Sequence, residues 1–286
     1  MKRTIMNTKI EPLRHVPSQA SIKALPPRGV RTRHPAGRRR VVGILGGMGP
    51  AATADFYLKL VQATPATIDQ EHLQVLIWSD PTIPDRTEAL LAQGADPTPA
   101  LIAGAKLLQQ AGAEMLAIPC NTAHAFLARV EAEVDLPIVH MIEETANRIH
   151  LLQPNIQRVG LLSTTGTQKA GLYQAWLAKK GIQVLSPRPQ SQANLVMASI
   201  RGIKGGQSGL AVKSQLVSAA RELIDAGAQA VIGGCTEVPV GLAATDIAVP
   251  FVDPARILAE SVVQRGLALR DAEYSMQYAA SPPKHR

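Results

Sequence analysis

The 286 residues hold only two cysteines, Cys120 and Cys235. Two thiols 115 residues apart suit neither a disulfide framework nor a zinc site, and they fit a reducing cytosol. Aromatic residues make up 3% of the chain, too few for the stacking surfaces that hold single-stranded nucleic acid, so a nucleic-acid partner is not expected. No apolar run approaches the roughly 18 residues of a membrane helix, and no segment near the start reads as a secretory signal. Acids are almost missing from residues 1–40, where eleven Lys and Arg stand against the single acid Glu11. That stretch carries +10 and residues 41–286 carry −2, so the overall +8 describes an arm and not the folded body. The arm is rich in Pro and Arg and lacks periodicity, and it is expected to be a disordered extension. A polyanion contact or an organellar address is the alternative, opposed by its modest hydroxyl content and its lack of an amphipathic helix.

What is present is a repeat. AGAEMLAIPCNT (111–122) and AGAQAVIGGCTE (226–237) place the two cysteines at the same position behind an apolar run. RVVGILGGMGP (40–50) answers RVGLLSTTGT (158–167), matching Gly43 with Gly160 and Gly49 with Gly166, and LPIVHM (136–141) answers VPFVDP (249–254). Three anchors in one order, at offsets of 117, 115 and 113, indicate two related halves too long for solenoid repeats. With 46% hydrophobic and 18% charged residues, each half is long enough to bury a core.

Short Val/Ile/Leu runs alternate with helical patterns, as in parallel sheets with crossover helices. Strands are predicted at 41–46, 73–78, 114–118, 137–140, 158–163, 182–185, 229–233 and 250–252. Pro50 suits a first helical position, Asp96-Pro97 opens a helix through Gln110, and Gly112 and Gly227 suit left-handed helix exits. Residues 254–270 form an amphipathic helix that can return to the first half. The expected fold is α/β: two similar domains, each a mainly parallel four-stranded sheet flanked by helices, related by a pseudo-twofold with the site between them. The expected division is an extension at 1–40, a first domain of 41–140 plus the helix 253–270, a second of 141–252, and a tail at 271–286.

Each cysteine ends a strand and precedes small polar residues at a helix start, where ligands bind in open parallel sheets and where a thiol pKa is expected to fall. A free cysteine is most often a buried small hydrophobe, but the matched placement argues for chemistry. Two opposed thiols suit racemisation beside a carboxylate, one removing the proton and the other returning one to the opposite side, with no pyridoxal cofactor. Asn121, Thr122 and Thr236 are candidate donors to the developing charge. Thr165 and Thr167 offer a second hydroxyl-rich strand end, or simply a capped turn. Arg86 can fork onto a carboxylate, and Lys204 stands beside glycines that let a ligand approach; each is otherwise a solvated surface cation. His124 can activate Cys120 or be packed, and Glu237 can relay a proton or cap a helix.

The motifs GILGGMGP (43–50), DQEH (69–72), IPDRT (83–87), PCNTAH (119–124), MIEETA (141–146), TTGT (164–167), GCTEV (234–238) and VPFVDP (249–254) together resemble the aspartate/glutamate racemase family, most closely its aspartate racemase branch, across 41–270. The resemblance implies a cofactor-independent racemase, a homodimer, with an amino acid as its small-molecule substrate. By that likeness Cys120 and Cys235 are the catalytic pair and Arg86 and Lys204 hold substrate carboxylates. Met48, Gly49, Asn121, Thr122, Thr165, Thr167 and Thr236 would line the pocket. Related enzymes of this architecture act on glutamate, hydantoins or maleate. A dinucleotide-binding oxidoreductase is the first rival, since residues 47–52 match G-x-G-x-x-A, but Asp80 follows at 31 residues instead of about 20. An amino-acid-binding sensor without catalysis is the second.

Overall fold

A computed structural model describes residues 39–279; expectations for the arm through residue 38 and for the last seven residues lie outside the described residues. In chain order the elements are β1 (Val42–Gly46), α1 (Pro50–Ala63), β2 (Val75–Ser79), α2 (Arg86–Leu90), α3 (Thr98–Gln110), β3 (Met115–Ala117), α4 (Leu127–Glu131), β4 (Ile138–Val139) and α5 (Met141–Leu152). Then come β5 (Arg158–Ser163), α6 (Thr165–Lys169), α7 (Leu172–Ala178), β6 (Gln183–Leu185), α8 (Pro189–Ser191), α9 (Ala198–Lys204), α10 (Leu210–Asp225), β7 (Val231–Gly234), α11 (Val238–Gly241), β8 (Phe251–Val252) and α12 (Pro254–Ala279). All eight predicted strands are present, within two residues at either end.

The strands form two parallel four-stranded sheets, ordered β2-β1-β3-β4 and β6-β5-β7-β8. The same order in each half explains why the anchors repeat: the glycine-bearing strands β1 and β5, and the strands β3 and β7 that lead into the two cysteines, are topological equivalents. Gly43 and Gly160 share one packing reason. A Cβ at Gly43 would lie 2.6 Å from Leu116 Cδ2, and one at Gly160 2.9 Å from Leu223 Cβ. Gly112 and Gly227 take φ of 100° and 94°, the left-handed exits expected after α3 and α10.

Strands β1, β3 and β7 are buried along their whole length, as parallel strands covered on both faces should be. One face of the first sheet packs with Phe56 and Leu60 of α1 and with Leu258, Ala259 and Val262 of α12. The other packs with Leu101, Ala105 and Leu108 of α3. The second sheet lies between α10 on one side and α5 with α7 on the other. Burying each of the Leu, Val and Phe side chains among them is worth about 1.5–3 kcal/mol. Helix α12 thus returns to the first sheet, and it is tied to α5 by Arg148–Glu260 at 2.7 Å, by Ser261 donating to Glu144 at 2.8 Å, and by Arg265 with Glu144. It runs to Ala279, past the expected end at 270, because residues 270–279 contain good helix formers and neither Gly nor Pro.

The halves meet directly at α6. A Cβ on Gly166 would lie 2.8 Å from Thr87 Cα and 3.1 Å from Thr122 Cγ2, so glycine there lets α6 rest directly on the first half. Among the described residues, no helix is long and apolar enough to cross a membrane.

Candidate active site

Cys120 follows β3 and leads into a 3-10 turn, Thr122–Phe126; Cys235 follows β7 and leads into the single turn of α11. Both are buried and unpaired. Both line one small recess of about 10 Å³, with Met48, Asp85, Arg86, Asn121, Thr122, Thr164, Lys204, Thr236 and Glu237 among its other walls. Met48, Asp85, Arg86, Lys204, Thr236 and Glu237 also border an open cavity of about 720 Å³, which Gly49 lines as well. The recess and the open cavity share these walls. The recess has room for about one water, so a larger ligand would reach both sulfurs only if the surrounding side chains moved.

Local chemistry distinguishes the cysteines. Cys235 Sγ donates to Glu237 Oε2 at 2.8 Å. Burial, followed by the Glu237 carboxylate, pushes its thiol well above the ordinary value, with Lys204 pulling the other way. The expected lowering at a helix start is not found at Cys235: α11 is only four residues long, too short for an appreciable dipole, and burial with an adjacent acid outweighs it. Cys120 has Thr122 where Cys235 has Glu237.

His124 does not act on the Cys120 sulfur. Its Nδ1 bonds the Cys120 carbonyl at 2.9 Å, and its Nε2 accepts from Met141 N–H at 3.1 Å. This pairing requires the neutral Nδ1–H tautomer. Burial first, then neighbouring His140, lowers its pKa to about 3. The imidazole is a strut holding the first cysteine loop against the start of α5.

Arg86 is buried at the start of α2. Nη1 donates to the Ile83 and Pro84 carbonyls, each at 3.0 Å, and Nη2 to the Met48 carbonyl at 3.3 Å. Its Nε is buried without a partner, as is Nδ2 of Asn121. Asn121 Oδ1 is taken by the Tyr173 hydroxyl at 2.6 Å. Two unpartnered donors beside the thiols match what an incoming carboxylate requires. Lys204 ends α9 and stays exposed on its cavity side. Partial burial disfavours its charge, but Cys235, Glu237 and Cys120 outweigh that and Arg86, and they raise its pKa. One cation therefore feels both thiols. Asp85 caps α2 through Thr87 N–H at 2.7 Å and Glu88 N–H at 3.0 Å.

Thr122, Thr164 and Thr167 form a buried triangle of hydroxyls, at 2.9, 2.9 and 3.1 Å, that joins the first half to the second. Thr122 and Thr164 border the recess; Thr165 and Thr167 are outside the residues lining either cavity. Thr165 sits beside Gln192 and Met197. Thr164, Thr87 and Asp85 were not singled out in sequence, though they lie within TTGT and IPDRT. Asp80, the acid of the dinucleotide reading, is engaged by Thr82 N–H and hydroxyl at 2.8 and 2.6 Å.

The sequence profile described as Asp/Glu/hydantoin racemase matches residues 45–262. An aspartate racemase structure from Picrophilus torridus is 30% identical, with a TM-score of 0.67 over 81% of this chain and 99% of that one. The structure of an aspartate racemase homologue from Pyrococcus horikoshii is 27% identical, with a TM-score of 0.63 over 79% and 98%. The broad specificity amino-acid racemase RacX of Bacillus subtilis is 28% identical over 80% of this chain and 99% of its own length.

Proposed function

The chain belongs to the Asp/Glu/hydantoin racemase family, and from that premise we propose that it is a cofactor-independent amino-acid racemase in which Cys120 and Cys235 exchange a proton with Cα, with aspartate the preferred substrate. The observation that carries this reading is that the two cysteines, one from each half, line a single recess together with Arg86 and Lys204.

Cys235 is protonated at rest, since burial and Glu237 hold its thiol pKa up, and it begins as the acid. Cys120, as thiolate, removes the Cα proton and becomes a thiol. The carbanion, its charge spread onto the substrate carboxylate, takes the Cys235 proton on the other side and leaves Cys235 as thiolate. The opposite enantiomer uses the reversed proton arrangement. Nε of Arg86 and Nδ2 of Asn121 are donors already in place for a carboxylate gaining charge, which is how a preorganised site lowers such a barrier. Two cations suit a substrate with two carboxylates, and the likeness to the Picrophilus aspartate racemase supports the acidic choice.

The second reading is a wider amino-acid range, favoured by the outer cavity of about 720 Å³ and the likeness to RacX. Each reading is tested by incubating the protein in heavy water with both enantiomers of aspartate, glutamate and several larger amino acids, following optical inversion and deuterium at Cα. Cys120→Ala and Cys235→Ala should each lower inversion by at least about 100-fold, leaving exchange from one side. Normal inversion by either variant excludes the two-thiol mechanism; no inversion or exchange with any amino acid favours a sensor.

The same proposal includes a division into the domains 41–140 with 253–270 and 141–252, a cytoplasmic setting suited to free thiols, and a homodimer. The edge strand β2 exposes Ile77 and Trp78, a surface suited to a second copy; sedimentation at micromolar concentration decides this.

A further inference from the structure

We propose that Tyr173 is a positioning residue for the reaction, fixing the Asn121 amide so that its Nδ2–H group meets the substrate carboxylate; this rests on the racemase reading above. Tyr173 belongs to α7 in the second half and is wholly buried. Its hydroxyl crosses to the first half and donates to Asn121 Oδ1 at 2.6 Å. The other end of that amide, Nδ2, is buried and has no partner, while Asn121 lines the recess with both cysteines.

An asparagine amide can sit in its space either way round, and its two ends have opposite polarity. With the oxygen held by a phenol O–H, the NH₂ end is left for the ligand. With the amide reversed, a partly negative oxygen would meet a carboxylate that gains charge as the Cα proton leaves. What favours the first arrangement is the proton of the Tyr173 hydroxyl, which is donated to Oδ1 at 2.6 Å. A phenol oxygen can also accept, but burial pushes the phenol well above the ordinary value, with the Thr145 hydroxyl working against that, so the proton that makes this bond is kept throughout the working range.

The position of the ring adds a second link. A Cβ on Gly234, the residue before Cys235, would lie 3.2 Å from Tyr173 Cε2. One side chain therefore hydrogen-bonds the residue after the first cysteine and packs against the residue before the second.

The test is a double-mutant cycle with a spectroscopic arm. Tyr173→Phe should lower kcat/KM about tenfold or more, a part of what losing one such donor costs. In an Asn121→Ala background the same change should alter kcat/KM less than about twofold, because the group it acts through is gone. A purely structural contribution would persist in both backgrounds. Unchanged kcat/KM in Tyr173→Phe, or the same loss in both backgrounds, overturns the proposal. In protein labelled with ¹⁵N-asparagine, the Asn121 side-chain NH₂ pair, assigned by its disappearance in Asn121→Ala, should shift and broaden in Tyr173→Phe. An unmoved pair overturns the proposal whether or not any amino acid is racemised. A moved pair without turnover in the parent protein sinks the racemase reading and leaves the positioning intact.

Discussion

Glu237→Gln isolates the interaction that separates the two thiols. The Cys235 sulfur and the Glu237 carboxylate are both buried and 2.8 Å apart. Two unit negative charges about 4 Å apart at an effective dielectric constant near 20 repel by about 4 kcal/mol. Glutamine keeps the side-chain shape and a hydrogen-bond acceptor while removing that repulsion, and Lys204, which already favours the thiolate, then acts unopposed. Removing a negative neighbour makes the Cys235 thiolate easier to form, so the form with both thiols ionised appears at lower pH. That form has no acid to return a proton and is inactive. The alkaline limb of the kcat/KM profile should therefore move toward neutrality while the acid limb stays, and activity at the alkaline end should fall by up to about 1000-fold relative to neutral pH, at about 1.4 kcal/mol per factor of ten. Racemisation followed by circular dichroism from pH 6 to 10 measures this. An alkaline limb that stays in place or moves upward would refute the argument that Glu237 keeps the proton on Cys235.

Arg86→Lys removes a planar donor set already held by three carbonyls and supplies a point charge instead; kcat/KM should fall about 10-fold or more, with kcat lowered as well as KM raised, and unchanged kcat and KM would remove Arg86 from both substrate binding and charge stabilisation. Thr167→Val keeps the shape but breaks the hydroxyl triangle, so urea unfolding should show a loss of about 1–3 kcal/mol; a midpoint equal to that of the parent protein would mean the triangle adds nothing. His124 is neutral when folded, with a pKa near 3, whereas the unfolded chain takes up that proton near pH 6.5. Stability should therefore fall as pH drops from about 6.5 toward 3, by up to about 1.4 kcal/mol per pH unit. His124→Gln should be less stable overall yet flatter across this window, and equal slopes would show that another group sets the acid sensitivity.

The sheets were legible because strand runs and turn glycines are local signals, and because the duplication shows each anchor twice. Cys120, Cys235, Arg86 and Lys204 were found from motifs and come together in the recess. The links between halves were not legible. The Thr122–Thr164–Thr167 triangle and the Tyr173–Asn121 bond depend on how two separately folded sheets meet, and no local pattern encodes that meeting. Thr165 and Thr167 illustrate the limit: TTGT marks a strand end near the site, but only the packing of α6 on the first half turns Thr164 toward the recess and Thr167 into the triangle. The error about the Cys235 thiol has a similar origin. A helix start was visible, but its length and the carboxylate beside the sulfur matter more than its presence.

The duplication is also broken where the chemistry is most sensitive. Two residues after the cysteine, the first half has Thr122, whose hydroxyl is used in joining the halves, and the second has Glu237, bonded to the sulfur. The enantiomers of an amino acid have equal free energies in water, so a racemase has the same kcat/KM in both directions however unequal its two acids are. The asymmetry at Glu237 must therefore appear in kcat and KM separately, both higher in one direction than in the other by one common factor. Glu237→Gln should bring the two directions closer together while their kcat/KM values remain equal. Unequal kcat/KM values would signal a side reaction, and an unchanged difference in kcat would place the asymmetry elsewhere than at Glu237.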